Sequence, residues 1–156
     1  MVKRSGGLFI VNDHADIAKA VDADGVHLGQ DDLPLEYGRK ILGRDKLIGI
    51  STHSVEQARE AEAAGADYIG FGPLFPTKTK EAGPHQGVEK LRLLRNAVSL
   101  PVLAIGGIRP DTLAEVMQAG ADGIAVISAV LSAPDPGAAA RDLIKRINTA
   151  GSTRNR

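Results

Sequence analysis

Six short, continuously apolar runs punctuate the chain, at residues 8–11, 25–28, 47–50, 68–71, 102–105 and 123–127. None alternates apolar with polar positions, so each predicts a strand covered on both faces, as in a parallel sheet. The stretches between them carry helical periodicity, clearest at 54–64, 88–97 and 110–119, and predict crossover helices. Six βα units follow, closed by a helix over 136–147 and a polar tail, 151–156, predicted to be disordered.

Punctuation supports this division. Ser54-Val55-Glu56-Gln57 offers a hydroxyl N-cap with Gln three residues on, a capping box, and Pro110 suits the first turn of a helix. A weak repeat marks each return from helix to strand: Ala23-Asp24-Gly25-Val26, Ala66-Asp67-Tyr68-Ile69 and Ala121-Asp122-Gly123-Ile124. Gly65 and Gly120 stand where a helix C-terminus favours positive φ, and the Asp opens the next strand. Repetition of one supersecondary unit favours an α/β fold of the TIM (β/α)₈ type over a doubly wound sheet. A full barrel takes eight units and usually about 200 to 250 residues. This chain has room for six, the deficit falling at the start, in one domain over 1–150. Open sheet edges at 8–11 and 123–127 predict either self-association, as a homo-oligomer, or complementation by a missing N-terminal segment.

Composition narrows the chemistry. The 156 residues are 43% hydrophobic but only 3% aromatic, with no Trp, so the core must rest on Ala, Val, Ile and Leu. A formal net charge of zero argues against nucleic acid or anionic membrane as a partner of the whole surface and makes any anion site local. Without Cys, disulfides, thiolate metal sites and Cys nucleophiles are excluded. No apolar run is long enough for a membrane span and no signal peptide is visible, so a cytoplasmic protein is expected.

In a barrel the reactive groups stand where strands end. Asn12-Asp13-His14 follows the first run and Gly29-Gln30-Asp31-Asp32 the second. Acidic residues leaving adjacent strands would lie about 5 Å apart, close enough to share one divalent cation. All-oxygen ligands suit Mg²⁺, with Asp13 and Asp31 as ligands and Asp32 as a helix cap. The plainer alternative is that both Asp13 and Asp32 are caps. Ser51, at the end of the third run, has a hydroxyl suited to an anion, while Ser54 is spent as a cap. His53 is either a general acid or base or a hydrogen-bonded loop residue, and His27, inside an apolar strand, reads as a satisfied core residue.

After the fourth run comes Gly72-Pro73-Leu74-Phe75-Pro76-Thr77-Lys78-Thr79-Lys80, whose alternating hydroxyl and ammonium groups suit phosphate or pyrophosphate, or else a solvated basic loop. Ile105-Gly106-Gly107-Ile108 and Ile127-Ser128-Ala129 end the last two runs, where barrels commonly bind phosphate through backbone amides. No Ser/Cys–His pairing at recognisable spacing suggests a nucleophilic hydrolase.

Taken together, Asn12-Asp13, the stretch 25–34, Ser51-Thr52-His53, Gly70-Phe71-Gly72-Pro73 with Pro76-Thr77-Lys78-Thr79-Lys80, and Ala104-Ile105-Gly106-Gly107-Ile108 resemble the thiamine-phosphate synthase family in order and spacing, over about residues 8–147. The resemblance implies a transferase joining hydroxymethylpyrimidine diphosphate to thiazole phosphate with release of pyrophosphate. It implies Mg²⁺ on Asp13 and Asp31, and the diphosphate on Asn12, Ser51 and Lys80, with Lys80 and Ser51 the catalytic choices. Thr77 and Thr79 would line the junction of the two substrates, and Gly107, Ile127 and Ser128 the thiazole phosphate pocket.

The family also carries a Gln and basic residues at the end of its second strand, and Lys3 and Arg4 do not match them. The missing groups would come from a second chain, or the sequence is a fragment or a decayed copy. Two alternatives accompany the synthase reading. A thiazole tautomerase would place a catalytic histidine in the loop that here reads Gly72-Pro73-Leu74, and a non-catalytic binder would keep only the thiazole phosphate site.

Overall fold

The computed structural model describes residues 2–77 and 84–152. Six parallel strands, β1 (Ile10–Asn12), β2 (Gly25–Leu28), β3 (Leu47–Thr52), β4 (Tyr68–Phe71), β5 (Val102–Ile105) and β6 (Gly123–Ala125), form one sheet in chain order. Helices α1 (Ala15–Ala20), α2 (Leu35–Leu42), α3 (Val55–Ala63), α4 (Gly87–Ala97) and α5 (Leu113–Gln118) follow β1 to β5. The short α6 (Ser128–Leu131) and the long α7 (Pro136–Ser152) come after β6, and a 3₁₀ turn at Val2–Ser5 precedes β1. Strand order never reverses, which a doubly wound sheet requires, so the result is a curled half-barrel with its helices outside. No described strand pairs with the outer edge of β1 or of β6.

Strand side chains alternate in role. Val26, Leu28, Ile48, Ile69, Phe71, Val102 and Ala104 turn outward and are buried against the helices. Under α1 and α2 they meet Ala15, Ala18 and Leu42, and under α3 to α5 they meet Ala58, Leu91, Leu94, Leu113 and Val116. Burying each Leu or Ile contributes about 1.5–3 kcal/mol.

The repeated aspartates have a structural task beyond opening a strand. Asp24 accepts from Phe9 N–H at 2.8 Å, Asp67 from Ile48 N–H at 2.7 Å and Asp122 from Val102 N–H at 2.9 Å, each reaching back to the preceding strand or its approach. Arg39 adds an ion pair to Asp67 at 2.6 Å, and Arg95 one to Asp122 at 2.9 Å. These clamps lie at the N-terminal ends of the strands, the face of a barrel that serves stability.

Several boundaries move. β1 begins at Ile10, not Leu8, because Phe9 N–H is spent on the Asp24 carboxylate, and Leu8 and Phe9 stay 65% and 40% exposed. β6 stops at Ala125, and Ile127 instead caps α6. Pro110 falls in a turn closed by Arg109 O, which accepts from Thr112 and Leu113 N–H, so α5 starts three residues later than the proline suggests. Helix α7 runs on to Ser152, and the rest of the predicted tail, 153–156, lies outside the described residues. Ser54 caps α3 as expected, accepting from Gln57 N–H at 3.2 Å while Gln57 Oε1 accepts from His53 N–H at 2.7 Å. Gly65 and Gly120 follow α3 and α5 at φ 86° and 111°. Among the described residues, no helix is long and apolar enough to cross a membrane.

Candidate active site

The C-terminal strand ends gather most of the residues singled out above. Asn12 ends β1 in register with His27 of β2, and Asp13 follows it with φ 64°, donating its N–H to His27 O at 2.8 Å. A left-handed backbone at a non-glycine residue is uncommon, Asp being among those that tolerate it. The next loop, after β2, carries Asp31 and Asp32. Asp32 does not cap α2, whose N-cap is Pro34; its carboxylate folds back onto Gly29 N–H at 2.6 Å. It is half-buried by that contact, while Asp31 is exposed.

Two carboxylates leaving adjacent strands fit a hard cation such as Mg²⁺, which takes one or two carboxylates and fills its remaining positions with water and phosphate oxygens. Among the described residues there is no cluster of three or more His, Cys, Asp or Glu that would form an all-protein cage. That donor set fits Mg²⁺ held jointly with a phosphorylated ligand and fits poorly a structural zinc.

Ser51 stands at the centre. Its main-chain carbonyl accepts from Gln30 Nε2 at 2.5 Å and its hydroxyl lies 2.9 Å from His27 Nε2. His27 Nδ1 lies 3.2 Å from the Tyr68 hydroxyl, with ring centroids 5.5 Å apart. These contacts exist because Gly49 lies between His27 and Tyr68 in the sheet register. A Cβ at Gly49 would lie 2.1 Å from Tyr68 Cζ, and one at Gly70 would lie 3.1 Å from His27 Cε1. The two glycines thus cut a trough across the concave face in which the rings lie. His27 is satisfied, as the sequence suggests, with both ring nitrogens partnered, but it is half-buried and outside the core, because alternation along the strand turns it to the barrel interior. Burial pushes the Tyr68 phenol up to about 12, with the Asp67 carboxylate adding to the effect.

The loop after β4 is pinned on two sides. Leu74 and Phe75 N–H donate to Ile105 and Gly106 O at 2.9 and 3.1 Å, and Gln86 and Gly87 N–H donate to Pro73 and Leu74 O at 2.7 and 3.0 Å. Gly72-Pro73 is a cis bond. Gly106 and Gly107 take φ 92° and 67°, and a Cβ on Gly107 would lie 2.6 Å from Pro76 O. The glycine pair thus has a visible packing role, seating the β4 loop, beside the ligand role expected of it. Thr77 leaves this pinned turn half-buried, whereas Thr79 and Lys80 lie outside the described residues. Ile127 and Ser128 are exposed at the start of α6. Gly107 and Ile127 each stand two residues beyond the register pair Ile105 and Ala125, at the ends of neighbouring strands. His53 Nδ1 lies 2.6 Å from Gly72 O, which fits the reading of a hydrogen-bonded loop histidine.

His27 and Tyr68 as polar residues of the site were not anticipated. The available signal was a period-2 row, His27 with Gly49, Ser51 and Gly70 at inward positions of β2 to β4, inside runs that look uniformly apolar.

A family model described as thiamine monophosphate synthase matches residues 1–130. The chain is 50% identical over 151 residues to a thiamine-phosphate synthase of Moorella thermoacetica, covering 96% of this chain and 72% of that protein. It is 52% identical over 149 residues to a bifunctional ThiM/ThiE thiamine biosynthesis protein of Symbiobacterium thermophilum, covering 95% of this chain and 31% of that one. Its fold superposes on a thiamine phosphate pyrophosphorylase from Pyrococcus furiosus with TM-score 0.88 and 45% identity, over 96% of this chain and 71% of that one. With motifs, strand-end geometry and fold in agreement, the chain belongs to the thiamine-phosphate synthase family of transferases.

Proposed function

We propose that the site joins hydroxymethylpyrimidine diphosphate to thiazole phosphate, releasing pyrophosphate, as a cytoplasmic enzyme. The observation that carries this reading is the position of Ser51, fixed by Gln30 and His27 between the acidic loops of β1 and β2 and the pinned β4 loop. Asn12, Ser51 and Lys80 would hold the diphosphate, Thr77 and Thr79 the junction, and Gly107, Ile127 and Ser128 the thiazole phosphate. Mg²⁺, when bound to Asp13 and Asp31, supplies positive charge to the diphosphate oxygens. As the bond to the diphosphate breaks, negative charge grows on the leaving group, and donors already aimed there lower the barrier without reorganising. Lys80→Ala should then lower turnover about 10²-fold or more.

Asp32 competes with Asp31 as the second carboxylate, since it is the one folded back to the strand end. Comparing Mg²⁺-dependent pyrophosphate binding in Asp31→Asn and Asp32→Asn decides between them. The tautomerase reading finds no footing, because Gly72, Pro73 and Leu74 are buried and include no histidine. The open edges of β1 and β6 support self-association, which light scattering at micromolar concentration checks; a clean monomer would remove it. The deciding assay supplies both substrates with Mg²⁺ and follows thiamine phosphate and pyrophosphate. Thiazole phosphate binding without pyrophosphate release would reduce the protein to a binder.

A further inference from the structure

Tyr68, His27 and Ser51 form a line of three polar groups, and its direction of hydrogen bonding decides what Ser51 offers a ligand. If Nδ1 of His27 carries the proton, it donates to Tyr68, and Ser51 spends its single O–H on Nε2. Ser51 then presents only lone pairs, which repel an anionic oxygen. If Nε2 carries the proton, Tyr68 O–H donates to Nδ1 and Nε2–H donates to Ser51 Oγ, leaving the Ser51 O–H to donate outward.

Two observations favour the second arrangement. Tyr68 keeps its proton, since burial and then the Asp67 carboxylate both disfavour the phenolate. Its ring is held over the Gly49 gap and its hydroxyl lies within reach of Nδ1, so the donor is in place before any ligand arrives.

We propose that Tyr68 and His27 are positioning residues that hold His27 in its Nε2–H form and thereby keep the Ser51 hydroxyl a donor toward an anionic substrate oxygen. This rests on the reading of Ser51 as a diphosphate ligand. The relay acts through Ser51 and touches no reacting atom.

Nitrogen NMR of the full chain labelled with ¹⁵N-histidine reads the tautomer directly, with His27 assigned by its disappearance in His27→Gln. The expected result is a protonated Nε2 in the wild type and a mixture in Tyr68→Phe; a neutral ring protonated on Nδ1 in the wild type overturns the proposal. Titration with inorganic pyrophosphate and Mg²⁺ supplies the second readout. His27→Leu, which removes the donor, should bind about tenfold more weakly. His27→Gln, whose amide nitrogen can replace Nε2–H, should recover most of that loss, and equal binding by wild type and His27→Leu would overturn the relay. Should Ser51→Ala bind pyrophosphate as the wild type does, the anion reading of Ser51 falls and the relay with it. Should Ser51→Ala lose binding while Nδ1 carries the proton, the anion reading stands and the relay alone fails.

Discussion

Gly49→Ala tests the trough on which the site is built. An ideal Cβ there would lie 2.1, 2.4 and 2.5 Å from Cζ, Cε2 and Cε1 of Tyr68. Carbon atoms in contact sit at about 3.5–4.0 Å, so the ring must retreat by roughly 1.5 to 2 Å. It carries its hydroxyl with it, and the 3.2 Å contact to His27 breaks. Overpacking of this kind costs about 1–3 kcal/mol and the lost hydrogen bond about 1 kcal/mol more, so about 2–4 kcal/mol is expected. Urea unfolding followed by circular dichroism measures it, as a lower midpoint at unchanged slope. Tyr68→Ala alone removes the ring and costs about 2 kcal/mol for a half-buried aromatic. In the double variant the clash has no partner, so its loss should fall short of the sum of the single losses by at least about 1 kcal/mol. Additivity within about 0.5 kcal/mol would mean that the strand, not the ring, yields, and would refute the account of Gly49.

Three further outcomes follow from the clamps, the cap and the phenol. Asp67→Ala leaves the N–H of fully buried Ile48 without its carboxylate acceptor and strips Arg39 of its ion pair, at a cost of about 2–3 kcal/mol by denaturation. Asp67→Asn, which keeps an acceptor, should lose about half as much, and a change below about 0.5 kcal/mol in the alanine variant would dismiss the clamp. Ser54→Ala should cost about 1 kcal/mol and Ser54→Gly only a few tenths, since glycine suits an N-cap backbone. The Tyr68 pKa is about 12 in the folded chain and about 10 when unfolded, so its contribution to stability is complete below pH 10 and is lost as pH rises toward 12. Partial exposure limits that contribution to about 1–2 kcal/mol. Tyr68→Phe should flatten the alkaline fall in stability, and an unchanged slope between pH 10 and 12 would count against the shift.

What the sequence shows of this protein divides along the two faces of each strand. The outward face is a matter of hydrophobic burial, and Val26, Leu28, Ile48, Ile69, Phe71 and Val102 announce it residue by residue, which is why strand count, order and the helix between each pair are legible. The Ala-Asp repeat was legible as punctuation, but its bond to the preceding strand was not, because a carboxylate reaching back about twenty residues leaves no local trace. The inward face depends on what neighbouring strands lack. Gly49 and Gly70 read as interruptions of apolar runs until register sets Gly49 between His27 and Tyr68 and Gly70 beside Ser51, and only then do two absent side chains become the space that two rings need. Strand-end motifs are readable because each sits in one loop, and Asn12-Asp13, Ser51 and Gly106-Gly107 accordingly arrive where their pattern sends them. The assignment of Asp32 as a cap failed for the complementary reason: helix α2 begins behind Pro34, whose fixed φ suits the turn into a helix, so the carboxylate is released to bond Gly29 instead. A residue's type limits the bonds it makes, whereas the neighbour that receives them is set by register across strands. In this half-barrel Ser51 is therefore linked through His27 to Tyr68, seventeen positions away in sequence and one strand away in space.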